Sequence, residues 1–260
     1  MPQFTRDGVT LNYEVDGDSQ RPLIIFAHSL GASLAMWEMQ AEALRDAYFV
    51  LRYDGRGHGK SSVPMTGSVI EDLAGDALAL ADHVGARRFC FCGLSLGGLV
   101  GQWLGLHASE RLVRLVLCNT SARIGSAAGW SERIAVVESQ GVEAIVEGGL
   151  QRWFTPRSFD RRPDIIDRFR AMILATPPKG YVSCCAALRD TDLRQELHRV
   201  SVPTMVVCGT HDPVTSVSEA EFMANAIAGA RLLELDSAHL SNVEQADAFN
   251  RGVREFLSGR

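Results

Sequence analysis

The string Gly93-Leu94-Ser95-Leu96-Gly97 sets a serine between two glycines at a spacing suited to nucleophilic catalysis. It follows the apolar run Phe89–Cys92 and opens a helical pattern that begins Gly98-Leu99-Val100. A strand-to-helix turn this tight admits only glycine two residues either side of the serine. It lifts the hydroxyl above the sheet at a helix N-terminus, where backbone N–H groups favour negative charge. A serine hydroxyl needs a base, and the base needs an orienting carboxylate. Gly209-Thr210-His211-Asp212-Pro213 supplies Asp212 after the β-like run Thr204–Cys208, and Ser237-Ala238-His239-Leu240 supplies His239 after Arg231–Leu235. The chemistry these three residues can do is acyl transfer through Ser95, with His239 as base and Asp212 holding its tautomer.

The remaining chemistry-bearing residues read as support. Among the seven histidines, His107 and His198 fall at exposed helical positions and His83 late in a helix. His211 neighbours the acid and steadies its loop. His58 belongs to the glycine-rich turn Asp54-Gly55-Arg56-Gly57-His58-Gly59, which shapes the wall of the site. That turn lacks the Lys-Ser/Thr ending of a phosphate loop, so no nucleotide is expected on it. His28 opens His28-Ser29-Leu30-Gly31 after the run Leu23–Ala27. The backbone N–H groups of Leu30 and of Leu96 are the expected oxyanion donors. The six cysteines lie mostly in apolar runs and read as buried free thiols. Metal ligands at useful spacing are absent, so neither metal nor cofactor is expected.

These residues need a scaffold that brings distant loops to one edge. Val9–Val15 alternates like a half-buried strand, while Leu23–Ala27, Phe49–Tyr53, Phe89–Cys92 and Leu112–Cys118 read as further strands, separated by helical stretches. Ser68-Val69-Ile70-Glu71 predicts a capping box for a helix running to about Val84 and closed by Gly85. Between Ser121 and His198 the rhythm changes to amphipathic helices near Glu132–Gln140, Val142–Trp153, Ile165–Leu174 and Cys184–Arg189. After Pro203 strands and helices alternate again, with Ser216 and Ser241 as expected caps. The fold class is α/β, a mostly parallel central sheet flanked by helices. Residues 1–120 and 199–260 form its core, and 121–198 form an inserted helical cap.

The 260 residues carry 26 Lys plus Arg against 31 Asp plus Glu, a net charge of −5. That sign excludes nucleic acid and anionic membrane surfaces as general partners. The N-terminal stretch Met1–Gly8 has no apolar run of a signal peptide. The uncharged run from Pro22 to Trp37 is shorter than the roughly 20 residues of a membrane span. A cytoplasmic protein is expected.

The set His28-Ser29-Leu30-Gly31, Met36-Trp37, Leu51-Arg52-Tyr53-Asp54, Arg56-Gly57-His58-Gly59 and Gly93-Leu94-Ser95 resembles the α/β-hydrolase superfamily. Narrower strings resemble the 3-oxoadipate enol-lactonases of bacterial aromatic catabolism. They are Phe91-Cys92-Gly93-Leu94-Ser95, Asn119-Thr120-Ser121-Ala122-Arg123-Ile124-Gly125, Arg152-Trp153-Phe154-Thr155-Pro156, Ala175-Thr176-Pro177-Pro178 and Ala238-His239-Leu240-Ser241-Asn242-Val243-Glu244. The chain departs by Ser29 where glycine is common and Leu96 where methionine is frequent. The resemblance implies hydrolysis of 3-oxoadipate enol-lactone in the β-ketoadipate pathway. An anionic lactone bound by a net-negative chain demands a local cation. Arg123 and Arg133 are the candidates, with Trp130 offering an indole N–H and a flat wall and Trp153 a second wall. The competing readings are a broader carboxylesterase or perhydrolase on the same fold, and a non-catalytic ligand receptor. A dehalogenase is disfavoured, because that chemistry wants a carboxylate where Ser95 stands.

Overall fold

The computed structural model describes residues 2–259. Met1, the first residue of the N-terminal stretch read above, and Arg260 lie outside the described residues. The chain runs β1 (Gln3–Arg6), β2 (Val9–Asp16), β3 (Leu23–Ala27), α1 (Glu38–Leu44), β4 (Phe49–Tyr53), α2 (Ile70–His83), β5 (Phe89–Leu94), α3 (Leu96–His107) and β6 (Leu112–Cys118). Five helices follow: α4 (Ala127–Gln140), α5 (Val146–Trp153), α6 (Pro156–Arg161), α7 (Pro163–Leu174) and α8 (Pro178–Asp190). The last part holds β7 (Thr204–Gly209), α9 (Val217–Ala226), β8 (Arg231–Leu235), α10 (Ser241–Glu244) and α11 (Ala246–Leu257). Between residues 121 and 198 the described residues contain no strand.

The eight strands form one sheet in the order β1-β2-β4-β3-β5-β6-β7-β8. β1 and β2 are antiparallel to their neighbours, and every pairing from β4 to β8 is parallel. The expected α/β class with a mostly parallel, helix-flanked sheet is therefore borne out. β3, β5 and β7 are buried along their whole length because helices cover both faces. Ile25, Leu51, Phe91 and Leu115 face α2 and α3, while Ile24, Phe26, Val50 and Cys90 face α1 and α11. Each fully buried Leu, Ile or Phe there contributes about 1.5–3 kcal/mol of transfer free energy. β3 lies between β4 and β5, so the chain crosses the sheet between them and opens a crevice above β3 and β5. The loops that carry Leu30, Ser95, Asp212 and His239 all leave the carboxyl ends of parallel strands on this edge.

Two capping expectations fail. α2 starts after Val69, whose N–H donates to Asp72 Oδ2 at 3.1 Å, and the Ser68 hydroxyl instead meets Ser183 Oγ of α8 at 2.8 Å. Ser241 caps nothing: its hydroxyl donates to Asn119 Oδ1 at 2.5 Å, and the last helix begins anew at Ala246. In both cases a partner distant in sequence outcompetes the local N–H groups. Ser216 does stand at the N-cap of α9, with Glu219 Oε2 accepting from its N–H at 2.8 Å. α6, α7 and α8 each carry proline in the first turn, where the missing N–H costs nothing.

The helices of residues 121–198 are tied to the rest of the chain at several places, among them α6 and α8. At α8, Cys184 Sγ contacts Arg56 O at 3.7 Å, beside the Ser68–Ser183 bond. At α6, Glu244 Oε1 accepts from the Thr155 N–H at 2.9 Å, from Thr155 Oγ1 at 2.7 Å and from Ser158 Oγ.

Candidate active site

Ser95 sits at φ 57°, ψ −113°, a region L-residues rarely occupy and which costs about 1–3 kcal/mol. The turn is held by its neighbours: Ser95 N–H donates to Cys118 O at 3.0 Å, and Ser95 O accepts from Thr120 Oγ1 at 2.8 Å. A Cβ at Gly93 would collide with the Gly97 carbonyl, and one at Gly97 with the Ala27 carbonyl, which is why both flanks are glycine. The Leu96 N–H opens α3 and the Leu30 N–H lies in the loop after β3. Neither has an acceptor among the described residues. Two unengaged donors beside Ser95 match the requirement of an oxyanion site.

Asp212 is buried and accepts five hydrogen bonds. Its Oδ2 takes His239 Nδ1 at 2.8 Å, Thr215 Oγ1 at 2.7 Å and Asn119 Nδ2 at 3.1 Å. Its Oδ1 takes the N–H groups of Val214 at 2.8 Å and Thr215 at 3.1 Å. Burial pushes the carboxyl up, but the His239 ring and the bonds from His239, Thr215 and Asn119 outweigh it and bring the pKa to about 2. With Asp212 ionised, His239 Nδ1 is the donor and Nε2 is left as the basic nitrogen. Ser95 and His239 border one cavity. No hydrogen bond joins Ser95 Oγ to the ring, and such bonds commonly close only when substrate is bound.

The histidine loop is held from several sides. Ala238 N–H donates to Glu244 Oε2 at 2.7 Å, and Leu240 N–H to Trp153 O at 3.1 Å. Asn119 Nδ2 also reaches Ala238 O at 3.2 Å. The His211 N–H donates to Ser237 O at 2.9 Å, and its ring meets Asp236 at 2.8 Å, which zips the acid loop to the histidine loop. Asn119, wholly buried and at φ 41°, thus joins Asp212 to both flanks of His239, and sequence reasoning missed it. Its only local signal is a polar residue directly after an apolar strand.

His28 and His58 brace the oxyanion loop. His28 Nε2 accepts from the Gly55 N–H at 2.8 Å, and His58 Nε2 accepts from the Gly31 N–H at 2.9 Å. Their Nδ1 atoms donate to Ser29 O at 2.7 Å and Arg56 O at 3.2 Å. His58 was expected to shape the wall of the site; it is instead buried behind the loop that lines it. Burial lowers both pKa values: for His28 against the opposing charge of Asp54, and for His58, with the neighbouring His28 ring, to about 3. Both are therefore neutral in the folded chain and take up a proton on unfolding below about pH 6.5. Their linked stability is full above that pH and is lost as pH falls below it, for His58 down to about 3, each contributing a slope of up to about 1.4 kcal/mol per pH unit. Urea unfolding between pH 7 and pH 5 will show this slope, and His58→Gln will flatten it. A slope identical in the variant would remove His58 from the linkage.

The cavity holds about 340 Å³ and is roofed by α4, α5, α7 and α8. Trp130, Arg133 and Trp153 line it. The Trp130 indole N–H donates to Ile124 O at 2.6 Å, so this residue offers a wall and no free donor, contrary to expectation. Arg123 does not line the cavity: its guanidinium lies at the surface, 3.4 Å from Asp192. Arg133 lies over the Trp130 ring, 5.8 Å from its centroid, and donates to Tyr181 Oη at 3.3 Å. Arg152, one position before Trp153 on α5, is a lining cation that sequence reasoning missed. Neither Arg133 nor Arg152 has a carboxylate partner among the described residues.

A strained serine elbow, an ionised Asp–His pair and a helical roof over a parallel sheet are the marks of an acyl-transferring hydrolase. The alpha/beta hydrolase fold family matches residues 22–246, and the chain belongs to it. More narrowly, the chain is 42% identical to 3-oxoadipate enol-lactonase 2 of Acinetobacter baylyi over 99% of its own length and 98% of the relative's. It superposes on the crystal structure of the enol-lactonase from Burkholderia xenovorans LB400 with a TM-score of 0.97 at 42% identity, covering 99% of this chain and 100% of that one. A hydrolase from Pseudomonas aeruginosa PA01 is 47% identical with a TM-score of 0.95, covering 98% and 97%. The resemblance read from the sequence is borne out.

Proposed function

We propose that the chain hydrolyses the enol-lactone of 3-oxoadipate to 3-oxoadipate, within the β-ketoadipate pathway. The observation that carries this reading is one cavity holding Ser95, His239 and an Arg133 that has no carboxylate partner among the described residues. Residues 121–198 act as the cap over that cavity, and the remainder is the hydrolase core. Ser95 Oγ attacks the lactone carbonyl carbon while His239 Nε2 takes its proton. The Leu30 and Leu96 N–H groups hold the oxyanion. Collapse breaks the ring C–O bond, and the enol oxygen leaves with the proton from His239. The freed enol tautomerises to a ketone, which makes ring opening hard to reverse. Water, deprotonated by His239, then attacks the acyl-enzyme. The second collapse returns the proton to Ser95 Oγ and frees the acid. Arg133 pairs with the substrate carboxylate against the apolar faces of Trp130 and Trp153.

Among the described residues no helix is long and apolar enough to cross a membrane, and all six cysteines are free and buried. Both fit a cytoplasmic enzyme. The test follows ultraviolet loss of the conjugated enol ester against turnover of a neutral aryl ester. Lactone turnover should dominate in kcat/KM, and an enzyme that hydrolyses the aryl ester while sparing the lactone overturns the substrate. Arg133→Ala should raise KM for the lactone about tenfold to a hundredfold, the worth of a charge-assisted bond, and change the neutral ester far less. Equal effects on both substrates would take Arg133 out of the carboxylate site.

A further inference from the structure

The cap end of the cavity presents two guanidiniums and no carboxylate. Arg133 and Arg152 both line it without a carboxylate partner among the described residues. Beside Arg133 stands Tyr181, buried on α8, whose oxygen already accepts from Arg133 Nη1 at 3.3 Å. Its O–H therefore has to donate elsewhere. The two guanidiniums beside it have no lone pair to offer, and the neighbouring indole N–H is spent on Ile124 O. Burial raises the Tyr181 hydroxyl to about 12, against the pull of both arginines, so it remains a donor at working pH. Burial also lowers the Arg152 pKa, and the charge of Arg133 adds to this, as two cations facing one space require. A set of donors with a charge of +2 is incomplete until an acceptor-only group enters.

The floor of the same cavity is lined by Leu30, in the loop after β3, and by Ser95. The unengaged Leu30 N–H, with the Leu96 N–H that opens the twelve-residue helix α3 directly after Ser95, forms a second unfilled set there. Leu30 and Ser95 at one end and Arg133, Arg152 and Tyr181 at the other border one space of about 340 Å³. A monoanionic lactone answers only one cation. Its ring-opened product carries a carboxylate at each end, one for the floor and one for the roof. We propose that Arg152 and the Tyr181 hydroxyl complete, with Arg133, a carboxylate site that makes this cavity a receptor for six-carbon dicarboxylates. The enzyme is consequently inhibited by its own dianionic product more strongly than the charge of its substrate alone predicts. This rests on the lactonase reading for the identity of the product, but not for the ligand class.

Calorimetry on the wild-type enzyme with adipate and with hexanoate tests the class without any turnover. Adipate should bind at least about tenfold tighter than hexanoate, the worth of one charge-assisted contact, and the margin should shrink with added salt. Arg152→Gln should lose about tenfold in adipate affinity, Arg152→Lys part of it, and Tyr181→Phe, which keeps the buried ring, a few-fold. Equal affinities for adipate and hexanoate, or an Arg152→Gln protein of unchanged melting temperature that binds adipate as before, overturn the proposal. If adipate discriminates while the enol-lactone is not consumed, the dicarboxylate site stands and the substrate reading falls. If the lactone is consumed and adipate does not discriminate, the reverse holds.

Discussion

Ser95→Ala lowers kcat by about 10⁶ and leaves lactone binding nearly intact, because the variant loses the only atom that forms the acyl bond. The donors of Leu30 and Leu96, the guanidinium of Arg133 and the base His239 all remain, so residual catalysis comes from substrate held against an oxyanion site with water as nucleophile. The same position allows a second reading from stability. Ser95 occupies φ 57°, ψ −113°, and alanine inherits that strain whereas glycine relieves it. Ser95→Gly should therefore be as inactive as Ser95→Ala yet more stable than it by about 1 kcal/mol. Single-turnover kinetics with the lactone and paired melting curves check both statements. Activity within tenfold of wild type in either variant would move the nucleophile elsewhere.

The parts legible in the sequence are those fixed by local physics. Continuous apolar runs announce β3, β5 and β7 because a strand buried on both faces has no polar side. The elbow is legible because the carbonyls of Gly97 and Ala27 exclude any Cβ at residues 93 and 97. Long-range choices were not legible. Ser68 and Ser241 carry local capping patterns, yet their hydroxyls answer Ser183 and Asn119, which are far along the chain. β1 escaped notice because four alternating residues with an arginine at the end read as loop. Among the cap arginines, Arg123 and Arg152 look equivalent as letters. Asp192 claims the first, and helix phase turns the second inward beside Trp153. Asn119 is the sharpest case, since its three side-chain partners, Asp212, Ala238 and Ser241, all lie in the last fifth of the chain.

Asp212→Asn is expected to lower kcat by about 10⁴ and to cost about 2–4 kcal/mol of stability, and the hydrogen bonds say why. Oδ1 accepts two backbone N–H groups, and Oδ2 accepts from His239, Asn119 and Thr215. An amide has one oxygen, so one of these two sides must face an NH₂ group. If the NH₂ points at Val214 and Thr215, fixed backbone donors are opposed and the loop must open. If it points at His239, the Thr215 hydroxyl can rotate and the imidazole can adapt by moving its proton to Nε2. That tautomer accepts at Nδ1 and cannot deprotonate Ser95. The second arrangement disturbs less of the fold, so the loss falls on catalysis, with KM little changed. The carboxyl titrates near 2, below its ordinary 3.8, so its linked stability is present above about pH 4 and lost only as pH falls toward 2. Between pH 5 and pH 8 the stability advantage of the wild-type protein should therefore not grow with rising pH, while both keep the slope set by His28 and His58. A difference that grew across that range would mean that Asp212 is not held ionised by His239, Thr215 and Asn119, and the tautomer argument would fall with it.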